Sequence, residues 1–429
     1  MLRKVEDRAP RVVAAQPFGP AAAITRRAAD RLRAGHLWVY RSDVESLVPP
    51  LGTTEIQPGS LITVMDSRGI PLGTGLYSSA SQIAVRIISN EAALSRPAYL
   101  EQLRERVIAA LALRDDVSPE SMEDDSCRLI FSEADNLPGI VADRYNDLVI
   151  LQLLTQGTAQ DDVRHLLTEV LSQRLRPDTG GITLWERPDP KIRELEQLAH
   201  PRPGPLHPTT TEAPQLTTIF TINGLRLHFD AGSGQKTGAF LDQRLNYAAA
   251  ARYATGSALD ICTYQGGFAL HMAQNCRQVT GVDASRSALE VADRNRELNP
   301  DLPAKIEWIE ADAFELLREY EATGHQYDTI VLDPPAFAKS KRAAEGAMRG
   351  YKELNLRAMK MLRPGGTLIT CSCSHHVPLQ EFTEVVSAAA TDASRRVQLL
   401  ETRGAAPDHP AILTLPETSY LKCLICRVG

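Results

Sequence analysis

From Gly256 to its end the chain alternates short strand-like runs with amphipathic stretches, and few architectures accommodate that order. Strands are expected at 258–262, 279–283, 305–310, 329–333 and 367–373. Helices between them include 287–298, opened by Ser287-Ala-Leu-Glu290 with capping-box spacing, and 351–362. The latter places Tyr351, Leu354, Ala358, Met361 and Leu362 on one face and ends at Pro364-Gly365-Gly366, a stop and tight turn before a strand. A helix between two strands returns the chain to the same end of the sheet, so the strands pair in parallel. Two late runs, 397–401 and 420–428, complete the sheet. The expected fold is a doubly wound, Rossmann-like α/β domain.

With 429 residues, the chain has room for two or three domains of about 100–200 residues each. Residues 1–20, rich in Ala, Pro and Arg, are expected to be a flexible tail. Residues 21–97 suggest a β-rich module: a helix over 23–34 stopped by Gly35, then strands at 61–65, 74–77 and 83–88 punctuated by glycines. Residues 98–199 suggest a small central α+β domain. Its parts are helices over 99–114 and 159–175 and a strand pair, 140–145 and 148–154, around the turn Asn146-Asp147. Residues 200–215 hold Pro201, Pro203, Pro205, Pro208 and Pro214 and are expected to be a linker. The α/β domain then takes 216–429.

The N-terminal region is broken by Arg3, Lys4, Glu6, Asp7, Arg8 and Arg11, which excludes a signal-peptide core, and no apolar run is long enough to span a bilayer. The seven cysteines are an odd, scattered set, as expected of reduced thiols in the cytoplasm. Net charge is −6, yet Arg26, Arg27, Arg31, Arg33 and Arg41 gather around only Asp30 and Asp43. Such a face suits phosphates even on an acidic protein.

In open α/β sheets ligands bind beyond the carboxyl ends of the strands, where strand order reverses. The first strand ends Leu259-Asp260-Ile261-Cys262 and runs into Thr263-Tyr264-Gln265-Gly266-Gly267-Phe268, whose glycines let the backbone approach a ligand. The second ends at Asp283, placed to accept ribose hydroxyls, and the third leads to Asp312, placed to accept an adenine amino group. No glycine occupies 262 or 264, so the diphosphate-cradling fingerprint of dinucleotide sites is missing. The expected cofactor is S-adenosylmethionine (SAM), which has no phosphate. Its binding set is expected to be Asp260, Tyr264, Gly266, Gly267, Asp283, Asp312 and Asp333.

Asp333-Pro334-Pro335-Ala336-Phe337 closes the fourth strand above that site. The prolines stiffen the backbone and aim the carboxylate at a planar, nitrogen-containing substrate. Amino-group methyltransferases usually place an aromatic directly after the two prolines; here Ala336 stands there and Phe337 follows. The fifth strand ends Cys371-Ser372-Cys373-Ser374-His375-His376, with Cys373 nearer the site. Cytosine C5 is too weak a nucleophile to take a methyl group unaided, and a thiolate adding at C6 makes C5 enamine-like. Cys373 and Asp333 are therefore the expected catalytic pair. The base that removes the C5 proton is left unnamed. Cys371, Cys373, His375 and His376 are neighbours on one strand and cannot surround a tetrahedral metal, and Cys423-Leu-Ile-Cys426 is read as packing, so no metal is expected.

These motifs together resemble the ribosomal RNA large-subunit methyltransferase I family, cytosine-C5 methyltransferases with an N-terminal PUA RNA-binding domain. Arg33-Ala-Gly35-His36-Leu37-Trp38-Val39 looks like the PUA opening, with Leu37 where proline is frequent. Glu133-Ala-Asp135-Asn-Leu137-Pro138-Gly139, with Asp143 and Tyr145, looks like the central domain's signature. Gln235-Lys236-Thr237-Gly238-Ala-Phe240-Leu-Asp242-Gln243-Arg244 is similar to the motif before the SAM domain and is the most specific of the set. Asp333-Pro-Pro-Ala-Phe337 and Ser372-Cys373-Ser374 match the catalytic motifs, with Cys373 at the nucleophile position; Ala336 stands where related enzymes carry a second cysteine. The resemblance implies large-subunit ribosomal RNA as the partner, with Lys236, Arg244, Phe337, Arg33 and Trp38 as RNA-contacting candidates. It implies no membrane and leaves a homodimer open. Two rival readings stay open: methylation of a base nitrogen, which needs Asp333 but not Cys373, and a SAM- and RNA-binding module without activity.

Overall fold

The computed structural model describes residues 11–12, 19–117, 124–175, 181–201, 203–208, 216–232, 239–337 and 344–429. Lys236, most of the expected tail and half of the expected linker lie outside the described residues. The chain forms two compact units: Met1–Val117 with Arg128–Gln215 and Ala411–Thr418, and Ser118–Cys127 with Leu216–Pro410 and Ser419–Gly429.

The first unit carries a seven-stranded sheet built on Leu61–Met65, Pro71–Tyr77 and Ile83–Ser89, and a four-stranded sheet centred on the hairpin Ile140–Tyr145 and Leu148–Leu153. Asn146 turns that hairpin in the left-handed conformation (φ 53°), which asparagine tolerates. The helix expected over 23–34 is shorter. Ala21–Ile24 is a strand pairing with both Val44–Val48 and Leu61–Met65, and the helix runs Arg26–Arg33. Thr25 ends the strand and caps the helix, its Oγ1 accepting the Ala28 N–H at 3.3 Å.

The second unit is the doubly wound domain. Its strands, in chain order, are Gly256–Ile261, Cys276–Asp283, Lys305–Glu310, Tyr327–Leu332, Leu362–Ser372, Val397–Arg403 and Lys422–Val428. They lie in the spatial order third, second, first, fourth, fifth, seventh, sixth. The first five run parallel, and the seventh pairs antiparallel with its neighbours on both sides. Strand order therefore reverses between the first and fourth strands. One face is sealed by helices Ala344–Met361 and Leu379–Asp392, with Tyr351, Leu354, Ala358 and Phe382 packed against Leu259, Ile330 and Leu368.

Two local expectations are corrected. The helix after the second strand is Arg286–Glu297, capped by Ser285, whose Oγ accepts the Ala288 N–H at 3.3 Å. Ser287 does not cap it, because Asp283 Oδ1 already accepts the Ser285 N–H at 2.9 Å and fixes the turn there. The fifth strand begins at Leu362, so Pro364-Gly365-Gly366 lies within it; the parallel register with the fourth strand shifts across this stretch. The hairpin Thr217–Ile222 with Leu225–Asp230 and the helix Arg244–Tyr253 precede the sheet and were not expected from the sequence.

Candidate active site

The loop after the first strand is held open by its own backbone. Cys262 (φ 65°) and Tyr264 (φ 52°) both adopt the left-handed conformation, an uncommon and costly choice for such side chains. Two carboxylates hold the loop in place. Asp260 Oδ2 accepts the Thr263 hydroxyl at 2.5 Å and the Ala269 N–H at 2.9 Å, and Asp283 Oδ2 accepts the Tyr264 N–H at 2.9 Å. Gly266 (φ 87°) turns the chain into helix Gly267–Met272, and a Cβ at Gly267 would sit 2.6 Å from the Tyr247 ring. The tyrosine and the loop backbone are thus in direct contact.

This loop forms one wall of a cavity of about 450 Å³. Asp283, Asp312 and Asp333, from three successive strand ends, line it together with Tyr264, Gly267, Phe337 and Cys373. Asp242 lines it as well, and among the described lining residues there is no Lys, Arg or His. Four carboxylates on one wall suit a cationic ligand.

Across the ends of the fourth and fifth strands, Cys373 Sγ lies 4.0 Å from the Pro334 carbonyl oxygen, and Gln243 Nε2 donates to Asp333 Oδ2 at 3.0 Å. The residues flanking Cys373 are anchored from behind. Ser372 Oγ donates to the buried Tyr351 hydroxyl at 2.9 Å, and the Ser374 hydroxyl lies 2.9 Å from that same oxygen. Phe337 packs on Tyr351 with ring centroids 4.9 Å apart. The buried Lys422 Nζ donates to the carbonyls of Ser374 and Tyr420, each at 2.7 Å. Burial pushes its pKa down to about 8, while the charge of Cys373 acts to raise it.

Several expected site residues stand elsewhere. Asp260 is fully buried behind the loop and is not part of the cavity wall; burial pushes its carboxyl up to about 7 against the Thr263 and Ala269 hydrogen bonds. Gly266 also stays out of the wall, its space bounded by Trp308. Asp312 lines the cavity and caps helix Ala313–Ala322, its Oδ1 accepting the N–H groups of Phe314 and Glu315 at 2.9 and 3.0 Å. Arg244 is corrected as an RNA contact. It is 3% exposed, donates to the Ser126 carbonyl at 3.3 Å and pairs with Asp408 at 3.7 Å, so it is a core ion. His375 and His376 are exposed and do not line the cavity.

In the first unit, Arg33 pairs with Asp66 at 2.7 Å. Trp38 donates its indole N–H to Glu133 Oε1 at 2.9 Å and stands edge-on to Tyr40, ring centroids 6.4 Å apart. The sequence reading missed Gln243, Tyr247, Phe240 and Cys262, all of which line the cavity. Gln243 sits in the motif already singled out, next to the arginine chosen instead. Among the described residues no group of three or more His, Cys, Asp or Glu could hold a metal, and no helix is long and apolar enough to cross a membrane.

A family model for an S-adenosylmethionine-dependent methyltransferase matches residues 202–425, and one for a PUA-like domain matches 23–90. The Ribosomal RNA large subunit methyltransferase I of Erwinia tasmaniensis is 38% identical over 399 residues, 92% of this chain and 95% of that protein. The chain belongs to this methyltransferase family. The protein of the same name from Aliivibrio fischeri (strain MJ11) is 37% identical over 401 residues, again 92% of this chain and 96% of its own. A solved structure of a Streptococcus mutans protein superposes with a TM-score of 0.76 over 95% of this chain and 99% of its own at 18% identity, a likeness of fold.

The protein is a SAM-dependent methyltransferase, with a PUA-like domain and a Rossmann-like catalytic domain. The cavity fits its cofactor: the carboxylate lining offers acceptors for hydroxyl and amino groups and favours a positive sulfonium.

Proposed function

We propose that this enzyme methylates C5 of a cytosine in large-subunit ribosomal RNA, through a transient bond between Cys373 and C6 of the base. The observation that carries this reading is the placement of Cys373 and Asp333 on one cavity, at the ends of adjacent parallel strands, with the sulfur beside the Asp-Pro-Pro turn. The family membership and the PUA-like domain support ribosomal RNA as the substrate, and the cytoplasm is part of the same proposal.

SAM, when bound, supplies an electrophilic methyl group. Asp283 and Asp312 would hold its ribose and adenine, with Tyr264 and Gly267 along the loop. Cys373 as thiolate forms the S–C6 bond, and the electron pair moves to C5, which takes the methyl group. Asp333, as a carboxylate, accepts the N4–H group and holds the edge of the base as the ring is attacked. Loss of the C5 proton and cleavage of the S–C6 bond restore the aromatic ring and the thiolate. Lys422 is the buried cation whose field favours that thiolate; the hydrogen bonds made by Ser372 and Ser374 hold the strand end that presents it. Phe337 walls the cavity where the flat base would enter. Lys236 is carried forward as an RNA contact from the motif resemblance.

The test is nucleoside mass spectrometry of ribosomal RNA from cells lacking the gene, complemented by wild type or Cys373→Ala. The reading expects one 5-methylcytidine to vanish and to return with wild type alone. A lost N-methylated nucleoside, or full rescue by Cys373→Ala, would overturn it.

A further inference from the structure

We propose that Gln243 is a positioning residue that locks Asp333 as an oriented hydrogen-bond acceptor, at the end of a one-way chain of amides anchored by Arg403. This rests on the reading that Asp333 meets the target base. The guanidinium of Arg403 can only donate, and its Nε reaches Asn246 Oδ1 at 2.9 Å. That fixes which way the Asn246 amide faces, and its Nδ2 donates onward to Gln243 Oε1 at 2.6 Å and to the Gly404 carbonyl at 3.1 Å. With its oxygen so occupied, Gln243 turns its Nε2 to Asp333 Oδ2 at 3.0 Å. Every link has its direction set by the one before, and the last compels Oδ2 to accept.

Both amides are sealed from water, with Asn246 1% and Gln243 2% exposed, so bulk solvent does not supply an alternative partner for either. Arg403 is itself held, donating to the Leu245 carbonyl at 3.1 Å and to Glu401 at 2.5 Å. The arrangement answers a specific difficulty. Asp333 shares its neighbourhood with Asp242, Asp283 and Asp312 on the cavity wall and with the thiols of Cys262 and Cys373. Such crowding of acidic groups favours the protonated carboxyl, whose O–H could swing away from the base. A permanent N–H donor at Oδ2 favours the anion and holds its plane.

The experiment uses the full-length enzyme with ribosomal RNA substrate and three variants: Gln243→Met, which removes the donor, Asn246→Asp, which reverses the chain, and Asp333→Asn. In Asn246→Asp the new carboxylate can only accept, so Gln243 must turn its N–H to residue 246 and its oxygen to Asp333. Asn246→Asp, outside the cavity wall, is expected to bind S-adenosylhomocysteine within about twofold of wild type, and in both upstream variants kcat falls roughly 10- to 100-fold. The acidic limb of the kcat/KM profile is expected to move up by about one pH unit, a change that mere loosening of the fold does not produce. Folding is checked by circular dichroism; if Gln243→Met fails it, the Asn246→Asp profile decides. Folded upstream variants with an unmoved acidic limb overturn the inference. If Asp333→Asn also retains full turnover, the assignment of Asp333 itself fails, and the two outcomes are thereby distinguished.

Discussion

Lys422 stands directly across from Ser372 in the antiparallel pairing of the fifth and seventh strands, and its Nζ reaches past Ser372 and Cys373 to the Ser374 carbonyl at 2.7 Å. Among the described residues no carboxylate pairs with this buried ammonium. A buried charge without a counterion is expensive, and the thiolate of Cys373 is the anion best placed to offset it.

Removing that charge tests the pairing. In Lys422→Met, alkylation of Cys373 by iodoacetamide at pH 7.5, followed by mass spectrometry of its peptide, is expected to slow about tenfold. Lys422→Arg is expected to recover part of the rate. Equal rates in wild type and Lys422→Met would remove Lys422 from the thiol's activation.

Gly267→Ala tests the loop. The added Cβ would stand 2.6 Å from Tyr247 Cζ and 2.7 Å from its hydroxyl, and that ring is fully packed between Phe268 and His271. Overpacking of this kind costs about 1–3 kcal/mol. A lower melting temperature and at least tenfold weaker S-adenosylhomocysteine binding by calorimetry are expected; Gly224→Ala, at an open turn, is expected to leave binding unchanged.

The pH dependence of stability isolates Asp260. Its carboxyl is raised by burial from 3.8 to about 7, so between those values the native state binds a proton that the unfolded chain has released. Its contribution to stability therefore falls as pH rises from about 4 to about 7, by at most about 4 kcal/mol. His271, lowered by burial from 6.5 to about 4, works in the opposite direction: the stability of its neutral native form is lost as pH falls through that window. In wild type the two offset each other between about pH 4 and 6.5. Asp260→Asn is expected to melt higher than wild type at pH 8 and to show stability rising with pH across the His271 window. Parallel melting-temperature curves for the two proteins would contradict this.

Much of the second unit was readable because parallel strands buried on both faces appear as short apolar runs; the edge strand 305–310, where Ile306 and Trp308 alternate with Lys305 and Glu307, was also placed to the residue. Ala23 and Ile24, in the strand Ala21–Ile24, were read as helix for a physical reason. Alanine favours helix in isolation, and the two partners that make it a strand lie elsewhere in the chain. Ser287 looked like a cap by spacing, but the Asp283–Ser285 hydrogen bond that starts the helix earlier is tertiary in origin. The motif around Gln243 was visible as a motif, whereas the exchange of roles between its glutamine and arginine was not. Arg244 is neutralised by Asp408, a partner more than a hundred residues away, and only the fold reveals that.

The central claim is a covalent bond between Cys373 and the target base. Large-subunit ribosomal RNA in which 5-fluorocytidine replaces cytidine offers the most direct test, since fluorine cannot leave C5 as the proton does and the S–C6 bond would persist after methyl transfer. With SAM present, the account predicts a denaturation-resistant protein–RNA adduct, mapped by mass spectrometry to the Cys373 peptide and absent in Cys373→Ala. A methylated RNA product without any adduct, or an equal adduct in Cys373→Ala, would contradict it.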